Sequence, residues 1–369
     1  MRTLIISVTA GYGHNSTARA ISDELEARGV EVVVEDLYQQ FSKALYDIVD
    51  KGYIFSVKHL RRQYKTAYSS FERNENMRRI ASLFSLNDRI AKTFANYITQ
   101  LMPDVIVATH VFAAQVLNIL KARGFLEVPV IGISTDYCIH PFWEEASAIE
   151  YIITASELLS YTAEKRGISP DMLLPLGIPI RSAFLTTLPR DEAKLELKLA
   201  PSKRMVLVMG GSMGYGNILT SVQSIDSLDM DLQIVCICGN NEKLRQSLHH
   251  LATCANITIR GFVDNVELYM DAADCIVTKP GGLTVTEVMC KELPMILVDP
   301  IPGHEERNME FLTNNGAAIA TSRFFSVAEA VYYLFTNPKR LDLMRESIRL
   351  IAKPHATRII CDLIISSKG

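Results

Sequence analysis

A glycine-rich turn in the C-terminal half of the chain has the residue types of a nucleotide site. Asp274–Thr278 is an apolar run that predicts a buried strand, and a helix is predicted to continue past Glu287, so Lys279-Pro280-Gly281-Gly282-Leu283-Thr284 lies where a strand turns into a helix. Backbone N–H groups and the dipole at a helix start suit a phosphate. Glu287 lies one turn further, where its carboxylate can accept two hydrogen bonds from a ribose diol. We therefore predict that this turn binds a nucleotide.

A second glycine-rich turn, Gly11-Tyr12-Gly13-His14, follows the first apolar run and opens a helix. It matches part of the dinucleotide fingerprint, and Asp36 at the end of the next strand could bind a ribose, but Ser16 replaces the third glycine. His14 is the more specific feature. The pKa of a histidine beside a helix N-terminus tends to fall, which keeps the imidazole neutral and able to accept a proton. His14 is therefore a candidate general base, with a simple helix cap as the alternative.

A third group of residues follows the predicted strand Val130–Ile133. Asp136 lies at its carboxyl edge, where open α/β sheets bind ligands, so it is a candidate catalytic residue or a loop cap. Trp143, the only tryptophan, stands beside Phe142. This pair fits contact with an apolar substrate or with lipid, and it fits ordinary core packing equally well.

Two more segments could bind a nucleotide sugar. The turn that contains Gly211 and Ser212 offers backbone donors for a diphosphate, although Asn217 stands where a Walker A loop has lysine. Glu305 and Asn308 fall three residues apart on one predicted helix face, where together they could hold several sugar hydroxyls. Either of them alone is more often a capping or surface residue.

One tempting metal motif, Asp229-Met230-Asp231, precedes the predicted strand Leu232–Cys238. It therefore belongs to the amino edge of the sheet, opposite the edge that binds ligands. We predict that this segment is a loop and that the chemistry needs no metal.

Short β-branched strands alternate with amphipathic helices along the chain, which predicts the α/β class with two doubly wound halves. The predicted strands lie near 3–9, 30–35, 104–108, 129–133 and 150–153, and then near 205–209, 232–238, 256–260, 274–278, 295–298 and 317–320. A linker is predicted at Leu176–Arg181. Helices are expected at about 337–351 and 354–367.

The overall composition limits which partners and which cellular compartment are expected for the protein. A length of 369 residues with 48% hydrophobic content fits two domains, and a net charge of −3 does not favour a nucleic-acid partner. Seven cysteines, an odd number, argue against a disulfide framework and fit a reducing cytosol. The sequence predicts neither a signal peptide nor a membrane-spanning run.

Residues 38 to 100 are predicted to be helical and are far longer than a normal crossover. From Lys51 to Lys92 there are ten basic and three acidic residues, which gives +7, and aromatic residues interleave with them. This composition suits an anionic membrane surface, with Arg61, Arg62 and Lys65 as candidate contacts. The alternative is a solvated helical insertion with an ordinary buried face.

Together, these motifs resemble the glycosyltransferases that make diacylglycerol glycolipids. These are the plant-type monogalactosyldiacylglycerol synthases and the bacterial processive diacylglycerol glucosyltransferases, which are similar to the enzyme that adds N-acetylglucosamine to lipid I. The resemblance covers nearly the whole chain and rests on Gly11–His14, Thr135–Trp143, Gly261–Asp264, Lys279–Thr284 and Pro302–Glu305.

The resemblance implies a GT-B fold, in which two Rossmann-like doubly wound domains face each other across a cleft. It implies an N-terminal acceptor and membrane-binding domain over residues 1–178 and a C-terminal UDP-sugar-binding domain over 179–353. The last helix, at about 354–369, would pack back on the first domain.

The resemblance also implies an inverting, metal-independent transfer of glucose or galactose from a UDP-sugar to diacylglycerol, without a cofactor. The protein would be cytoplasmic and peripheral on the inner face of the cell membrane. His14 or Asp136 would take the proton, with Gly13 and Trp143 on the acceptor side. The implied UDP-binding residues are Gly211, Ser212, Phe262, Val263, Gly281, Gly282, Leu283, Thr284 and Glu287, and the implied sugar-binding residues are His304, Glu305 and Asn308.

Relatives usually carry glutamine where His304 stands, which leaves the hexose open. Three other functions fit parts of the sequence. The first is transfer of N-acetylglucosamine from its UDP-sugar to a polyprenyl-linked cell-wall precursor. The second is an NAD-type oxidoreductase built on the Gly11 turn, and the third is a UDP-sugar-sensing protein without turnover.

Overall fold

A computed structural model describes residues 1–9, 12–41, 66, 70, 88–211, 214, 216–251 and 256–368. The chain forms two compact units. The first unit comprises Met1–Arg181, Ile301–His304 and Lys353–Gly369, and the second comprises Ser182–Pro300 and Glu305–Ala352. Each unit contains a parallel sheet with helices between its strands, which confirms the predicted fold class.

The first unit contains a six-stranded sheet in the order β2-β1-β3-β4-β5-β6. Its strands are β1 (Arg2–Ser7), β2 (Glu31–Asp36), β3 (Val105–Ala108), β4 (Val130–Ile133), β5 (Tyr151–Ile153) and β6 (Leu173–Leu174). Its helices before the second unit are α1 (Tyr12–Ala27), α2 (Leu37–Phe41), α3 (Asp88–Leu101), α4 (Val111–Ala122) and α5 (Ser160–Lys165). Strands β3 and β4 are buried along their whole length, as continuous apolar runs in a parallel sheet should be.

The second unit contains another six-stranded sheet, in the order β12-β11-β10-β7-β8-β9. Its strands are β7 (Arg204–Met209), β8 (Leu232–Ile237), β9 (Ile257–Arg260), β10 (Cys275–Thr278), β11 (Met295–Leu297) and β12 (Ala318–Ala320). Its helices are α6 (Arg190–Glu196), α7 (Ile218–Asp226), α8 (Glu242–Leu251), α9 (Val266–Ala272), α10 (Gly282–Cys290), α11 (His304–Asn314), α12 (Val327–Phe335) and α13 (Pro338–Ile351).

The last helix, α14 (Ala356–Ser366), packs on the first unit. Ile360 and Ile364 join the core beneath α1 and the first sheet. The Thr357 hydroxyl donates to the Ile180 carbonyl oxygen at 2.8 Å and accepts from the Ile180 N–H at 3.0 Å. Burial of these apolar side chains therefore ties the end of the chain to the N-terminal sheet.

The predicted strands and the two closing helices match the structure to within about two residues at their ends. The short strand β6 was not predicted. Within the predicted helical insertion the structure describes α2, α3 and two isolated helical residues, whereas Arg61, Arg62 and Lys65 lie outside the described residues. In the described part of the chain, no helix is both long and apolar enough to cross a bilayer.

Candidate active site

Polar side chains of the first unit converge at the carboxyl edge of its sheet. Strand β1 lies between β2 and β3, so the connections leave it in opposite directions and create a switch point there. His14 lies in the first turn of α1 beyond β1, Thr109 follows β3, and Thr135 follows β4. The edge of an open α/β sheet at a switch point is where ligands bind.

His14 is held by two contacts to one ring nitrogen. Its Nδ1 atom lies 2.8 Å from the carbonyl oxygen of Thr109 and 3.1 Å from the hydroxyl oxygen of Thr135. Because a carbonyl oxygen can only accept, this geometry assigns the proton to Nδ1. The neutral ring then has its lone pair on Nε2, as a general base requires.

The ring of His110 packs against the ring of His14, with 4.3 Å between centroids and an angle of 71° between planes. His110 is the N-cap of α4, and its Nδ1 accepts from the backbone N–H of Phe112 at 3.0 Å. Burial lowers the pKa of His14 and lowers that of His110 well below the ordinary value, while the Asp136 carboxylate acts on His14 in the opposite direction. Burial therefore favours neutral imidazoles at this edge.

Asp36 organises the turn that leads to His14. One carboxylate oxygen accepts from the backbone N–H and the hydroxyl of Thr9, at 2.7 and 2.8 Å. The other accepts from the backbone N–H of Tyr38 at 2.9 Å, and the Asn15 amide donates to the Thr9 hydroxyl at 3.0 Å. Since both oxygens hold the protein backbone, the structure does not support the ribose-binding alternative for Asp36.

Trp143 lies in a short 3₁₀ turn, Pro141–Glu145, and only 2% of it is exposed. A Cβ atom added to Gly132 of β4 would lie 2.6 Å from the indole ring, so the ring packs where only glycine leaves room. This burial contradicts the predicted contact of Trp143 with the acceptor or with lipid. The core-packing alternative is the correct one, because the indole ring is covered by the sheet.

The second sheet has its own switch point, where β7 lies between β10 and β8. The glycine turn after β7 therefore adjoins the turn after β10. Gly211 and Gly214 have positive φ angles of 69° and 55°, and a Cβ atom on Gly214 would collide with the carbonyl oxygen of Cys238. Such a turn accepts only glycine at these positions. Ser212, also predicted to bind the diphosphate, lies outside the described residues.

Helix α10 begins at Gly282, and its N-cap, Gly281, makes no side-chain capping bond. Leu283 and Thr284 follow in the first turn, so backbone N–H groups of this turn are available to a ligand. Glu287 is buried in the second turn of the same helix. The structure thus places these predicted UDP-binding residues on one helix start.

Glu305 and Asn308, in the first turns of α11, brace the turn that precedes α10. Lys279 Nζ lies 3.0 Å from Glu305 Oε1, and the two side chains are only 12% and 5% exposed. The Asn308 amide, which is fully buried, donates to the Pro280 carbonyl oxygen at 3.0 Å. Both residues are buried, so the alternative that they are exposed surface residues is wrong. His304 is the first residue of α11.

The remaining predicted donor residues lie in the loop after β9. Phe262 is exposed and Val263 is half-buried. Because β9 is parallel to its neighbour β8, this loop lies on the same carboxyl edge as the two glycine turns. An exposed aromatic ring there can stack on a base.

The Asp229–Asp231 segment is a loop before β8, as predicted. Asp231 pairs with Lys203 at 3.0 Å on the surface. Among the residues that the structure describes, no group of three His, Cys, Asp or Glu side chains could hold a metal ion.

Some side chains that build these two sheet edges had no individual role assigned from the sequence. Thr109 and Thr135 in the first unit and Lys279 in the second each come soon after a predicted strand, and that position was the available signal. Asp299 in the second unit was missed altogether. Its carboxylate accepts from the backbone N–H and the side-chain amide of Asn217 at 2.6 and 3.1 Å, which fixes the glycine turn after β7.

Family models of known proteins match both halves of the chain. Residues 14–180 match the family model of monogalactosyldiacylglycerol (MGDG) synthase, and residues 205–358 match that of the glycosyltransferase family 28 C-terminal domain. The processive diacylglycerol beta-glucosyltransferase of Bacillus pumilus is 28% identical over 368 residues, which cover 99% of this chain and 94% of the relative. The Bacillus subtilis protein of the same name is 27% identical over 370 residues, with the same coverage of both chains.

Solved structures of similar fold cover the whole chain. Acinetobacter baumannii MurG has a TM-score of 0.62 at 17% identity and matches 99% of both chains. Anabaena HepE, solved in complex with UDP, has a TM-score of 0.60 at 13% identity and matches 99% of this chain and 100% of its own. At this identity the structures establish the fold alone.

Proposed function

The chain belongs to the diacylglycerol glycosyltransferase family, and we propose that it transfers a hexose from a UDP-sugar to the hydroxyl of diacylglycerol. The observation that carries this proposal is the similarity to curated diacylglycerol glucosyltransferases along 99% of the chain. It favours diacylglycerol over a polyprenyl-linked acceptor and favours turnover over sensing. It also argues against the oxidoreductase alternative, which rested on a partial match of the Gly11 turn and on Asp36.

In the proposed reaction, His14 Nε2 takes the proton of the diacylglycerol hydroxyl. The hydroxyl oxygen forms a bond to the anomeric carbon while the bond from that carbon to the diphosphate oxygen breaks, so the configuration inverts and UDP leaves. The hydrogen bond from Nδ1 to Thr109 supports this role because it fixes the tautomer. Asp136 lies close enough to favour the protonated ring that forms during the step. Gly13, beside His14 in α1, belongs to the same acceptor side.

The donor half of the proposal uses the second unit together with His304, the residue before Glu305. The diphosphate binds the first turn of α10 and the Gly211 turn, and the ribose binds Glu287. Phe262 and Val263 contact the uracil, and His304, Glu305 and Asn308 contact the hexose. What supports this division is that the glycine turns, the helix start and the Phe262 loop all lie on one carboxyl edge.

We further propose that the leaving diphosphate needs no metal. Backbone N–H groups and a helix N-terminus are fixed donors, and donors aimed at developing charge stabilise it without reorganisation. The Lys279 ammonium lies in the same turn, where its pairing with Glu305 beside Gly281 holds it as a further fixed donor.

We also propose that the protein works as a peripheral enzyme on the inner face of the cell membrane. The support is the sequence between Lys51 and Lys92, with its charge of +7 and interleaved aromatic residues. Arg61, Arg62 and Lys65 are the proposed contacts with anionic lipid. Neutralising these three together should weaken binding to anionic vesicles, and unchanged binding would argue against this role.

The direct test of the substrates is thin-layer chromatography of products from radiolabelled UDP-glucose, UDP-galactose and UDP-N-acetylglucosamine. Each donor is paired with diacylglycerol or with lipid I, with and without EDTA. We expect a glycolipid from diacylglycerol and one of the UDP-hexoses, at the same rate in EDTA. A product formed only from lipid I would make this a cell-wall enzyme, and loss of product in EDTA would contradict the metal-free step.

A further inference from the structure

An exposed aromatic turn in the second unit has no role in the proposed chemistry. Arg323 and Phe324 occupy the tip of a tight turn between β12 and α12, and 84% of Phe324 is exposed. Ser322 and Phe325 close the turn as an isolated antiparallel bridge, with the Ser322 N–H donating to the Phe325 carbonyl oxygen at 2.9 Å. The Phe324 N–H donates to the Ser322 hydroxyl at 3.1 Å. The backbone therefore holds the phenylalanine outward.

Basic and aromatic side chains surround this tip. The Phe325 ring packs edge-on against Tyr333 of α12, with 6.4 Å between centroids, and the Arg340 guanidinium lies 4.0 Å above the Tyr333 ring. The Arg323 guanidinium lies 5.4 Å from the Phe324 ring centroid. We call Arg323, Phe324, Phe325, Tyr333 and Arg340 the Phe324 patch. Two sets of contacts, Arg323 with Phe324 and Phe325 with Tyr333 and Arg340, are joined by the backbone of the turn.

The charge around the Phe324 patch is positive. Between Thr321 and Leu341 there are three basic residues (Arg323, Lys339 and Arg340) and one acidic residue (Glu329), which gives +2. The Glu329 carboxylate is engaged in a capping box, where it accepts from the Ser326 N–H at 2.7 Å. Among the described residues, no carboxylate lies within ion-pair distance of Arg323 or Arg340. Both guanidinium groups are therefore available to an external anion.

The position of the patch in the fold also supports contact with an anionic partner. The turn follows β12, which is parallel to β11 and hence to β10. It therefore lies at the carboxyl edge of the second sheet, the same edge that carries the turn before α10. An aromatic ring flanked by arginines suits the interface of an anionic bilayer, where the ring enters the headgroup region and the cations meet lipid phosphates.

We propose that the Phe324 patch is a lipid-contact surface of the second unit, with an anionic bilayer as its partner. Phe324 enters the interface, and Arg323 and Arg340 bind headgroup phosphates. This proposal concerns residues of the second unit, whereas the membrane contact proposed above rests on the sequence of the Lys51–Lys92 segment. Its identity as lipid-binding rests in part on the proposed function, because an enzyme that uses diacylglycerol must reach the bilayer.

The test uses the full-length protein with a reporter at the tip. Phe324→Trp is mixed with vesicles of phosphatidylglycerol and phosphatidylcholine, and its fluorescence emission is recorded. The emission of the wild-type protein, which comes from the buried Trp143, is measured in the same way and subtracted. We expect a blue shift and quenching by brominated lipid, both weaker with pure phosphatidylcholine. Leu350→Trp is the matched control, because Leu350 is 82% exposed on α13 but lies ten residues beyond Arg340, which is about 15 Å along a helix.

A second pair of variants tests the charges. Arg323→Ser and Arg340→Ser should each lower binding of Phe324→Trp to anionic vesicles by about fivefold at low salt. Absence of a blue shift, or an equal shift in Leu350→Trp, would overturn the proposal. A shift that needs no vesicles and grows with protein concentration would assign a second copy of the chain to the patch and would overturn it too. Vesicle binding does not require turnover, so the result is independent of the glycosyltransferase assay.

Discussion

The Nδ1 atom of His14 lies 2.8 Å from the carbonyl oxygen of Thr109, and this contact determines which ring nitrogen can act as a base. Thr109 follows β3 and His14 follows β1, so the pairing of these adjacent strands positions the imidazole. The register of the sheet therefore sets the tautomer, which leaves Nε2 to accept a proton. This relationship underlies the first two predictions.

Replacing the proposed base should affect turnover far more than donor binding. His14→Ala is expected to lower kcat by roughly 10²–10⁴-fold, because general-base assistance is lost. The KM for the UDP-sugar should change little, since the proposed donor contacts other than His304 are in the second unit. Steady-state kinetics measure both. His249→Ala, at an exposed histidine of α8, is the control, and near wild-type turnover of His14→Ala would rule out His14 as the base.

The activity should persist into mildly acidic solution. Burial lowers the pKa of His14, so the ring stays neutral, and able to act as a base, below the ordinary histidine pKa of about 6.5. The acid limb of the profile of kcat/KM against pH should therefore lie below that value and disappear in His14→Ala. A limb centred above it would contradict the assignment.

The lowered pKa values of His14 and His110 should also make the stability of the protein depend on pH. The unfolded chain binds a proton on His14 and His110 at a higher pH than the folded chain does. The free energy of unfolding should therefore fall as pH drops below about 6.5. Urea denaturation on either side of this pH, with His110→Asn as a variant that keeps an N-cap residue and loses the imidazole, measures the contribution of His110.

Glu287 should determine recognition of the ribose. Hydrogen bonds to a charged group contribute about 1.5–3 kcal/mol, so Glu287→Ala should raise the KM for the UDP-sugar by about 10- to 100-fold. The decisive comparison uses a 2′-deoxyribose donor. The wild-type enzyme should discriminate against it, and Glu287→Ala should treat both donors alike. If the variant kept the discrimination of the wild type, another residue would hold the ribose.

Replacing only one partner of the buried Lys279–Glu305 pair should lower the free energy of unfolding. Lys279→Met leaves the Glu305 carboxylate buried without its cation and should lower the free energy of unfolding by about 3–5 kcal/mol. The double variant Lys279→Met/Glu305→Leu should recover much of this loss. Urea denaturation gives both values, and Arg245→Ala, which breaks the exposed pair with Glu242, should change stability little. A double variant as unstable as the single one would indicate a packing effect.

The fold could be predicted largely from local signals. Apolar runs ending in glycine, as at Cys275–Thr278 before Gly281, mark a buried strand and the helix start that follows it. Strand β6 was missed because Leu173 and Leu174 alone have no periodicity to detect. The glycine turns, Glu287 and His14 could be proposed from the sequence because the features that suggest them are local to one strand–helix junction.

The parts of the site that sequence could not give depend on long-range contacts. Lys279 and Glu305 are 26 residues apart, and only the parallel pairing of β10 with β11 brings their side chains together. Trp143 fitted core and lipid equally well until its packing against Gly132 was known. Asp36 has the position of a ribose ligand in sequence, but its carboxylate is occupied by Thr9 and the start of α2.

The most direct test of the central claim is the release of UDP by the purified protein as a function of diacylglycerol. We predict UDP release that requires diacylglycerol, equals the hexose found in glycolipid and falls by roughly 10²–10⁴-fold in His14→Ala. No UDP release with any UDP-hexose in the presence of diacylglycerol, or release with no sugar transferred to lipid, would contradict the account.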